Sequence, residues 1–152
     1  MARYTACIDL HLILRDEHGQ VLLGRRQNTG WADGQLGLPS GHLEDGESAT
    51  TGVAREAEEE IGVLVKTDHL RLVHLMHHHT DSGRVALFFE ARDWSGEVVN
   101  REPDKCTGWS FTDPTDPTDP TDPAATIVAY VAEALRRIAS GEVYSEDGWS
   151  SP

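Results

Sequence analysis

The chain has 152 residues, the size of one ordinary domain, and 38% of them are hydrophobic, which is enough to build a core. Its 13 Lys and Arg residues are outnumbered by 26 Asp and Glu residues, so the net charge is −13 at pH 7. This charge repels phosphate backbones and anionic lipids, which argues against nucleic acid polymers and membranes as partners. An anionic substrate would need a local positive charge, and a bound divalent cation is its simplest source.

We expect neither a signal peptide nor a membrane-spanning segment. Residues Met1 to Cys7 lack the apolar run of a signal peptide, and no stretch approaches the ~20 apolar residues of a membrane span. The expected compartment is the cytoplasm. There Cys7 and Cys106 are expected to stay free thiols, since neither has a near neighbour that completes a metal knuckle.

The first third of the chain alternates apolar runs with polar breaks. The run from Ile8 to Leu14, the polar stretch 16–20 and the run from Val21 to Leu23 predict a strand, a turn and a second strand. The stretch 30–37 is rich in glycine and small polar residues, which predicts a loop.

A helix is predicted to begin after Ser48, its expected N-cap, and to end at Gly62, which stands where a helix C-terminal glycine belongs. The stripe that supports it repeats every four residues and consists of Ala49, Val53, Ala57 and Ile61. Beyond this helix, the runs 64–76 and 85–91 predict strands, and 109–111 predicts a short one. The run 85–91 is nearly continuous, which is typical of a strand buried on both faces.

Residues 112–123 are four tandem copies of Thr-Asp-Pro, and proline removes a backbone donor from each copy. We interpret them as a connector rather than an acidic ion-binding segment. A C-terminal helix is predicted over 123–140, with Asp122 as N-cap and Gly141 behind it, followed by a loosely held polar tail over 142–152. Its buried stripe would be Ile127, Val131, Leu135 and Ile138. The order of elements predicts an α+β fold with a helix on each face of a mixed sheet.

The first of these helices carries an unusual concentration of carboxylates. Glu56, Glu59 and Glu60 share one face because positions three and four apart are neighbours, whereas Glu58 points elsewhere. Like charges on one face destabilise a bare helix by about 0.2–0.5 kcal/mol per pair. A hard divalent cation reverses the sign of this interaction, because Mg²⁺ and Mn²⁺ prefer oxygen ligands. The alternative is a solvated acidic surface without a ligand.

The spacing of residues around this helix is specific. Gly41 is followed after five residues by Glu47, after seven more by the Arg55-Glu56 pair, and then by the remaining glutamates and Gly62-Val63. This pattern, residues 41–63, resembles the signature of the Nudix hydrolases. The flanks 21–26 and 100–109 are similar to the MutT-type branch of that family, which hydrolyses nucleoside triphosphates. Two positions depart from the usual pattern, since Ser40 replaces a glycine and Ala57 replaces a larger apolar residue.

The resemblance implies a single Nudix domain over 1–141, an α/β/α sandwich with a central mixed sheet. The implied metal ligands are the carbonyl of Ser40 and the carboxylates of Glu56, Glu59, Glu60 and Glu102. Glu56, Glu59 and Glu102 are the alternatives for the catalytic base. Glu47 and Arg55 would form a structural ion pair, and Arg26, or else its neighbour Arg25, would bind a terminal phosphate.

The implied activity is Mg²⁺-dependent hydrolysis, with Mn²⁺ as a substitute, of a nucleoside triphosphate to the monophosphate and pyrophosphate. Clearing of oxidised or non-standard nucleotides is the implied role, in a monomer or homodimer. The alternatives are hydrolysis of a nucleoside diphosphate sugar or prenyl diphosphate, and nucleotide binding without catalysis. A calcium-binding or interaction domain would leave Arg55 and the glycine spacing unexplained.

Several other side chains are candidates for a role in binding, although the predicted activity does not depend on them. Trp31 and Trp109 are candidates for stacking on a base. His42 borders the proposed metal site, where packing or phosphate contact is as good an interpretation as proton transfer. His74 and the run 77–79 suggest zinc, but alternation along a strand separates them, so a solvated strand end is the preferred interpretation.

Overall fold

The computed structural model describes residues 1–150. Its helices are α1 (Ala49–Ile61) and α2 (Ala129–Ala139), and a 3-10 turn lies at Thr67–His69. Its strands are β1 (Cys7–Leu14), β2 (Val21–Arg26), β3 (Leu36–Gly37), β4 (Ser40–His42), β5 (Arg71–His79), β6 (Gly83–Ala91), β7 (Cys106–Thr112) and β8 (Tyr144–Asp147). Within these residues no helix is long and apolar enough to cross a membrane.

The strands form two sheets. The larger has five strands in the order β4-β1-β6-β5-β8, and the smaller has three in the order β3-β2-β7. The larger sheet is mixed, because β1 runs parallel to β6 and β5 runs parallel to β8, whereas the other neighbours are antiparallel. The smaller sheet is antiparallel throughout. The predicted mixed sheet is therefore confirmed.

The two helices bury their apolar stripes on opposite sides of the larger sheet. Alternate side chains of β1 divide between two cores, with Leu10 and Leu12 on the side of α1 and Ile13 on the side of α2. Val53 of α1 lies in the first core and Val131 of α2 in the second. This confirms the predicted α+β sandwich.

Local signals fix the ends of α1 as predicted. The hydroxyl of Ser48 accepts a hydrogen bond from the backbone N–H of Thr51 at 3.3 Å, which satisfies one of the free donors of the first turn. Gly62 ends the helix with φ of 70°, a left-handed conformation that favours glycine.

The predicted strand over 64–76 is wrong in its first half. There Leu64 makes only an isolated bridge to Ser95, the 3-10 turn follows, and regular pairing begins at Arg71. Val63 and Val65 are buried in the core beneath α1, so their apolar character reflects helix packing rather than a strand. The short strand predicted over 109–111 is longer and forms β7.

The C-terminal helix begins at Ala129, so the predicted start at 123 is wrong. Residues before it are held in an extended conformation by β3, because the N–H of Leu36 donates to Thr126 and its carbonyl accepts from Val128. Asp122 does not cap the helix. It accepts a hydrogen bond from the N–H of Ala124 in a turn and lies 3.6 Å from Arg25.

The segment predicted as a loose polar tail forms the edge strand β8, which pairs with β5. The indole N–H of Trp149 donates to the carbonyl of His77 at 2.8 Å and so fixes the end of this segment. The last two residues of that predicted tail, 151–152, lie outside the described residues.

The Thr-Asp-Pro copies form turns in which Asp113 and Asp119 each accept a hydrogen bond from the N–H two residues ahead. Their role as a connector stays a prediction.

Candidate active site

The glutamates of α1 line a cavity of about 510 Å³ at the junction of the helix, β4 and the smaller sheet. The predicted metal-binding residues in its wall are Ser40, Glu56, Glu59, Glu60 and Glu102. Glu102 reaches the cavity from the loop before β7, although it is 42 positions or more from the helix glutamates in sequence. We call this cavity the acidic cleft.

The backbone of β4 lies directly against these carboxylates. A Cβ atom at Gly41 would collide with the carboxylate of Glu56, so a glycine is needed at this position. Ser40 is different, because it lies in extended backbone paired with His11 and does not adopt positive φ. A serine therefore fits here without strain, and its N–H donates to Glu60 at 3.2 Å.

Arg55 joins the loop before α1 to the helix. Its guanidinium donates to both carboxylate oxygens of Glu47 at 3.0 and 2.7 Å, and to the carbonyl of His42 at 3.2 Å. It also donates to Glu56 at 2.8 Å. The hydrogen bonds from Arg55 to Glu47 lower the pKa of Glu47 to about 2, so the Glu47–Arg55 pair is charged at neutral pH.

Two carboxylates of the acidic cleft have raised pKa values. Burial raises the pKa of Glu60 well above its ordinary value, and the neighbouring charge of Glu56 raises it further. Burial also raises the pKa of Glu56, although Arg55 opposes the shift. Such a set of oxygen ligands fits a divalent cation, which would stabilise both carboxylates in their charged forms.

The two adjacent arginines of β2 point to different regions. Arg26 lines the acidic cleft, and its guanidinium donates to the carbonyl of Trp31 at 3.0 Å and the hydroxyl of Thr29 at 3.1 Å. Arg25 lines neither this cleft nor the cavity described next and instead faces Asp122. Of the two, only Arg26 is therefore positioned to meet a phosphate in the cleft.

A second cavity, of about 290 Å³, lies on the other side of β4 and was not predicted. The two cavities share Arg26, Ser40 and Gly41 in their walls. The residues that belong to the second cavity alone include Asp9, His11, Trp31, His78, Arg84 and Tyr130. We call it the aromatic pocket. The available signal was the pair of polar residues at alternate positions, 9 and 11, in the otherwise apolar run of β1.

Asp9 and Arg84 form a fork-shaped ion pair in the aromatic pocket, with both contacts at 2.7 Å. Burial opposes ionisation of Asp9, but the hydrogen bonds from Arg84 prevail and hold its pKa below the ordinary range. Ligand atoms of Cys7, Asp9 and His42 approach within 4.8 Å of one another. Arg84 lies 3.2 Å from His42 and already supplies the positive charge, so this trio suits a guanidinium better than a metal ion.

The two tryptophans occupy different environments. Trp31 is 47% exposed at the aromatic pocket, with the guanidinium of Arg26 5.1 Å from its ring centroid. Trp109 lies in the wall of the acidic cleft and packs on Gly24, where an added Cβ would meet the indole ring. Of the two, only Trp31 is exposed to solvent over a large part of its surface.

The interpretation of the histidine-rich segment as a solvated strand end is wrong for two of its residues. His74 and His78 are buried, at 0% and 1% exposure, because α2 and β8 cover this part of β5. His77 and His79 lie on the opposite face, where both contact Trp149. The predicted separation of these side chains is confirmed.

Comparison with known proteins agrees with this geometry. The NUDIX domain family model matches residues 8–135. A MutT-like protein of Streptomyces ambofaciens is 38% identical over 98 residues, which cover 64% of this chain and 58% of that protein. The chain therefore spans less than two thirds of the length of that relative. An 8-oxo-dGTP diphosphatase of Escherichia coli is 28% identical over 59% of this chain and 69% of its own length.

The fold also matches solved structures. A MutT NUDIX hydrolase from Burkholderia pseudomallei superposes with a TM-score of 0.74 at 24% identity, covering 88% of this chain and 98% of that one. Because the identity is only 24%, this match shows that the two proteins share a fold.

Proposed function

Since the chain belongs to the NUDIX domain family, we propose that it is a divalent-metal-dependent hydrolase that converts a nucleoside triphosphate to the monophosphate and pyrophosphate. One observation carries this proposal. The acidic cleft gathers the carboxylates of Glu56, Glu59, Glu60 and Glu102 beside Arg26, so ligands for a cation and a donor for a phosphate line the same cavity.

The groups proposed to hold Mg²⁺, or Mn²⁺ in its place, are the carbonyl of Ser40 and these four carboxylates. When bound, the ion would lower the pKa of a water molecule and offset the charge that develops on the phosphates. The raised pKa values of Glu56 and Glu60 support this assignment, because burial and the mutual repulsion of neighbouring carboxylates disfavour their charged forms until a cation is bound.

Arg26 is proposed to bind the terminal phosphate through charge-assisted hydrogen bonds. Its Nε is already held by Trp31, which fixes the direction of the guanidinium before substrate arrives. Glu47 and Arg55 hold the loop and helix in register and take no part in bond breaking. Arg55 contacts Glu56 and is itself held by Glu47, so both are positioning residues for the cation ligands.

The proton from the attacking water passes to a carboxylate, for which Glu56, Glu59 and Glu102 are the candidates. Glu56 accepts a hydrogen bond from Arg55 at 2.8 Å, and Glu59 accepts a longer one from the same guanidinium at 3.3 Å. The side chains of Glu59 and Glu102 are more open, at 56% and 34% exposure, so both have more room to receive a proton from water.

Clearing of oxidised nucleotides is part of the proposal and is supported by the relatives named as 8-oxo-dGTP diphosphatases. The alternative of binding without catalysis is less well supported, since every glutamate of the family signature over residues 41–63 is present. A cytoplasmic location and a monomeric or homodimeric state stay predictions.

A nucleotide panel tests the proposal. Purified protein with Mg²⁺ is given canonical and oxidised nucleoside triphosphates, a nucleoside diphosphate sugar and a prenyl diphosphate, and the products are separated by ion-exchange chromatography. We expect monophosphate and pyrophosphate from at least one triphosphate, and none after chelation by EDTA. Turnover that persists in EDTA, or turnover of the sugar or prenyl compounds alone, would contradict the proposed reaction.

A further inference from the structure

Of the proposed cation ligands, Glu102 alone lies in a loop rather than on a helix or strand. The glutamates of α1 are fixed relative to one another by the helix backbone, whereas a ligand in a loop keeps its place only if the loop itself is held. The charge of Glu102 nevertheless acts on Glu60 and contributes to its raised pKa, so the two carboxylates are near each other. The contacts of residues 100–105, which we call the Glu102 loop, therefore decide where this carboxylate lies.

Asn100 connects the two ends of the Glu102 loop. Its side-chain oxygen accepts a hydrogen bond from the backbone N–H of Glu102 at 3.3 Å, and its Nδ2 donates to the carbonyl of Cys106, the first residue of β7, at 2.7 Å. The carbonyl of Glu102 accepts hydrogen bonds from the N–H groups of Lys105 and Cys106 at 2.9 and 3.1 Å. Both backbone polar groups of Glu102 are therefore held.

One side of the Glu102 loop lies against the residues that follow β2. There two residues donate to three consecutive carbonyls of the loop. Nε2 of Gln27 donates to Pro103 at 2.7 Å, and the backbone N–H of Gln27 donates to Lys105 at 3.0 Å. Nδ2 of Asn28 donates to Asp104 at 3.0 Å. The loop is therefore attached to the strand that carries the proposed phosphate ligand.

The other side of the Glu102 loop is attached to the end of α1 through Arg101. The backbone N–H of Arg101 donates to the carbonyl of Glu60 at 3.0 Å, and its Nη1 donates to the carbonyl of Glu58 at 3.1 Å. The loop is therefore hydrogen-bonded to two walls of the acidic cleft, the helix and the smaller sheet.

The side chains of Gln27 and Asn100 hold the loop from outside the cavities. Neither residue lines the acidic cleft or the aromatic pocket, whereas Asn28 lines the cleft and is open to a ligand. Among the described residues, the hydrogen bonds of the Gln27 and Asn100 side chains go only to the backbone of residues 102–106. An effect of either side chain on a cation in the cleft must therefore act through the position of Glu102.

We propose that Gln27 and Asn100 are positioning residues that hold the carboxylate of Glu102 at the cation site. This inference rests on the proposed function, which makes Glu102 a cation ligand. A loop that is already held places its ligand before the ion arrives, so binding of the ion does not have to offset the conformational entropy of ordering the loop. Loss of either side chain leaves part of that ordering to the ion and weakens its binding.

A double-mutant cycle tests the proposal, with Mn²⁺ as the probe and no nucleotide present. Gln27→Met keeps the length of the side chain and removes its donor, and free Mn²⁺ is measured by electron paramagnetic resonance during a titration. We expect the dissociation constant of Mn²⁺ to rise about threefold to tenfold, the effect of one hydrogen bond. In a chain that already carries Glu102→Gln, the same substitution should have no further effect, because the ligand that it positions is absent.

Gln20→Met is the matched control, because Gln20 directly precedes β2 and forms its hydrogen bonds through its backbone. This variant should bind Mn²⁺ as tightly as the wild type. Hydrogen exchange gives a second measurement that needs no ion. The two amides that donate to the carbonyl of Glu102 should exchange faster in Gln27→Met and in Asn100→Ala than in the control.

Mn²⁺ binding separates this inference from the proposed function. A protein that hydrolyses no nucleotide but gives the expected cycle supports the inference while the hydrolase proposal fails. Wild-type Mn²⁺ affinity in Glu102→Gln would overturn the inference and leave the hydrolase proposal to the helix glutamates. An equal loss of affinity on Gln27→Met with and without Glu102→Gln would also overturn it, as would unchanged affinity in both Gln27→Met and Asn100→Ala.

Discussion

The acidic cleft and the aromatic pocket share the edge of β4 but differ in the balance of their charges. In the acidic cleft, Glu56 and Glu60 have more negative charge than Arg55 compensates, and their pKa values are raised. In the aromatic pocket the charges of Asp9 and Arg84 balance, because the two side chains form a fork-shaped ion pair. A region with excess negative charge fits a divalent cation, whereas a region whose charges already balance does not call for one.

Removal of one cleft carboxylate should have the largest effect. Glu59→Gln keeps the size of the side chain and removes a charge that is proposed to hold the cation. We expect kcat for pyrophosphate release to fall about 100- to 1000-fold with unchanged far-UV circular dichroism. Glu58→Gln is the matched control, because Glu58 is the adjacent glutamate and does not line the cleft, and its activity should be unaffected. Equal activity of the two variants would show that Glu59 has no role in the reaction.

The adjacent arginines of β2 should differ in their effect on substrate binding. Arg26→Ala is expected to raise KM for a nucleoside triphosphate about tenfold, since a charge-assisted contact to phosphate is lost. Arg25→Ala should leave KM near the wild-type value, because Arg25 faces Asp122. Steady-state kinetics of the two variants would decide, and a larger KM effect from Arg25→Ala would reverse the assignment.

The charge excess predicts a pH dependence of stability. A carboxyl whose pKa is raised on folding is protonated more readily in the folded state, so without metal stability falls as pH rises through that folded pKa. Glu60→Gln should therefore raise Tm in EDTA at neutral pH by a few degrees, since about 1 kcal/mol corresponds to 2–4 °C at this chain length. Mg²⁺ should stabilise the wild type more at pH 8 than at pH 5. Thermal scans at both pH values check this, and a lower Tm for Glu60→Gln in EDTA would contradict it.

The smallest effect is expected from the Thr-Asp-Pro segment. Deletion of one copy shortens an exposed loop, so Tm should change by less than about 3 °C and kcat/KM by less than about twofold. The same deletion in a chain with Arg25→Ala is the control for loss of the Asp122 contact. A large loss in the single deletion would show that the segment does more than connect.

Features set by neighbouring residues could be predicted from the sequence. The ends of α1 follow from Ser48 and Gly62, which act within one turn, and the face shared by Glu56, Glu59 and Glu60 follows from helix geometry. The order of strands and helices and the sandwich likewise follow from local periodicity. The positions of Ser40 and Glu102 at the cleft could be expected only through resemblance to the family.

Features that depend on distant pairing could not be predicted. The late start of α2 results from backbone hydrogen bonds to Leu36, some 90 positions away in sequence, and β8 becomes a strand only because β5 offers it an edge. The aromatic pocket combines Asp9, His78, Arg84 and Tyr130 from four separate elements. No local pattern shows that these side chains meet.

The central claim is that the carboxylates of α1 hold a divalent cation, and crystals soaked in MnCl₂ test it most directly. Anomalous scattering locates manganese independently of any assumption about the reaction. We expect a peak bounded by Glu56, Glu59 and Glu60 that disappears in crystals of Glu59→Gln. An acidic cleft without manganese in the wild-type crystals would contradict the claim.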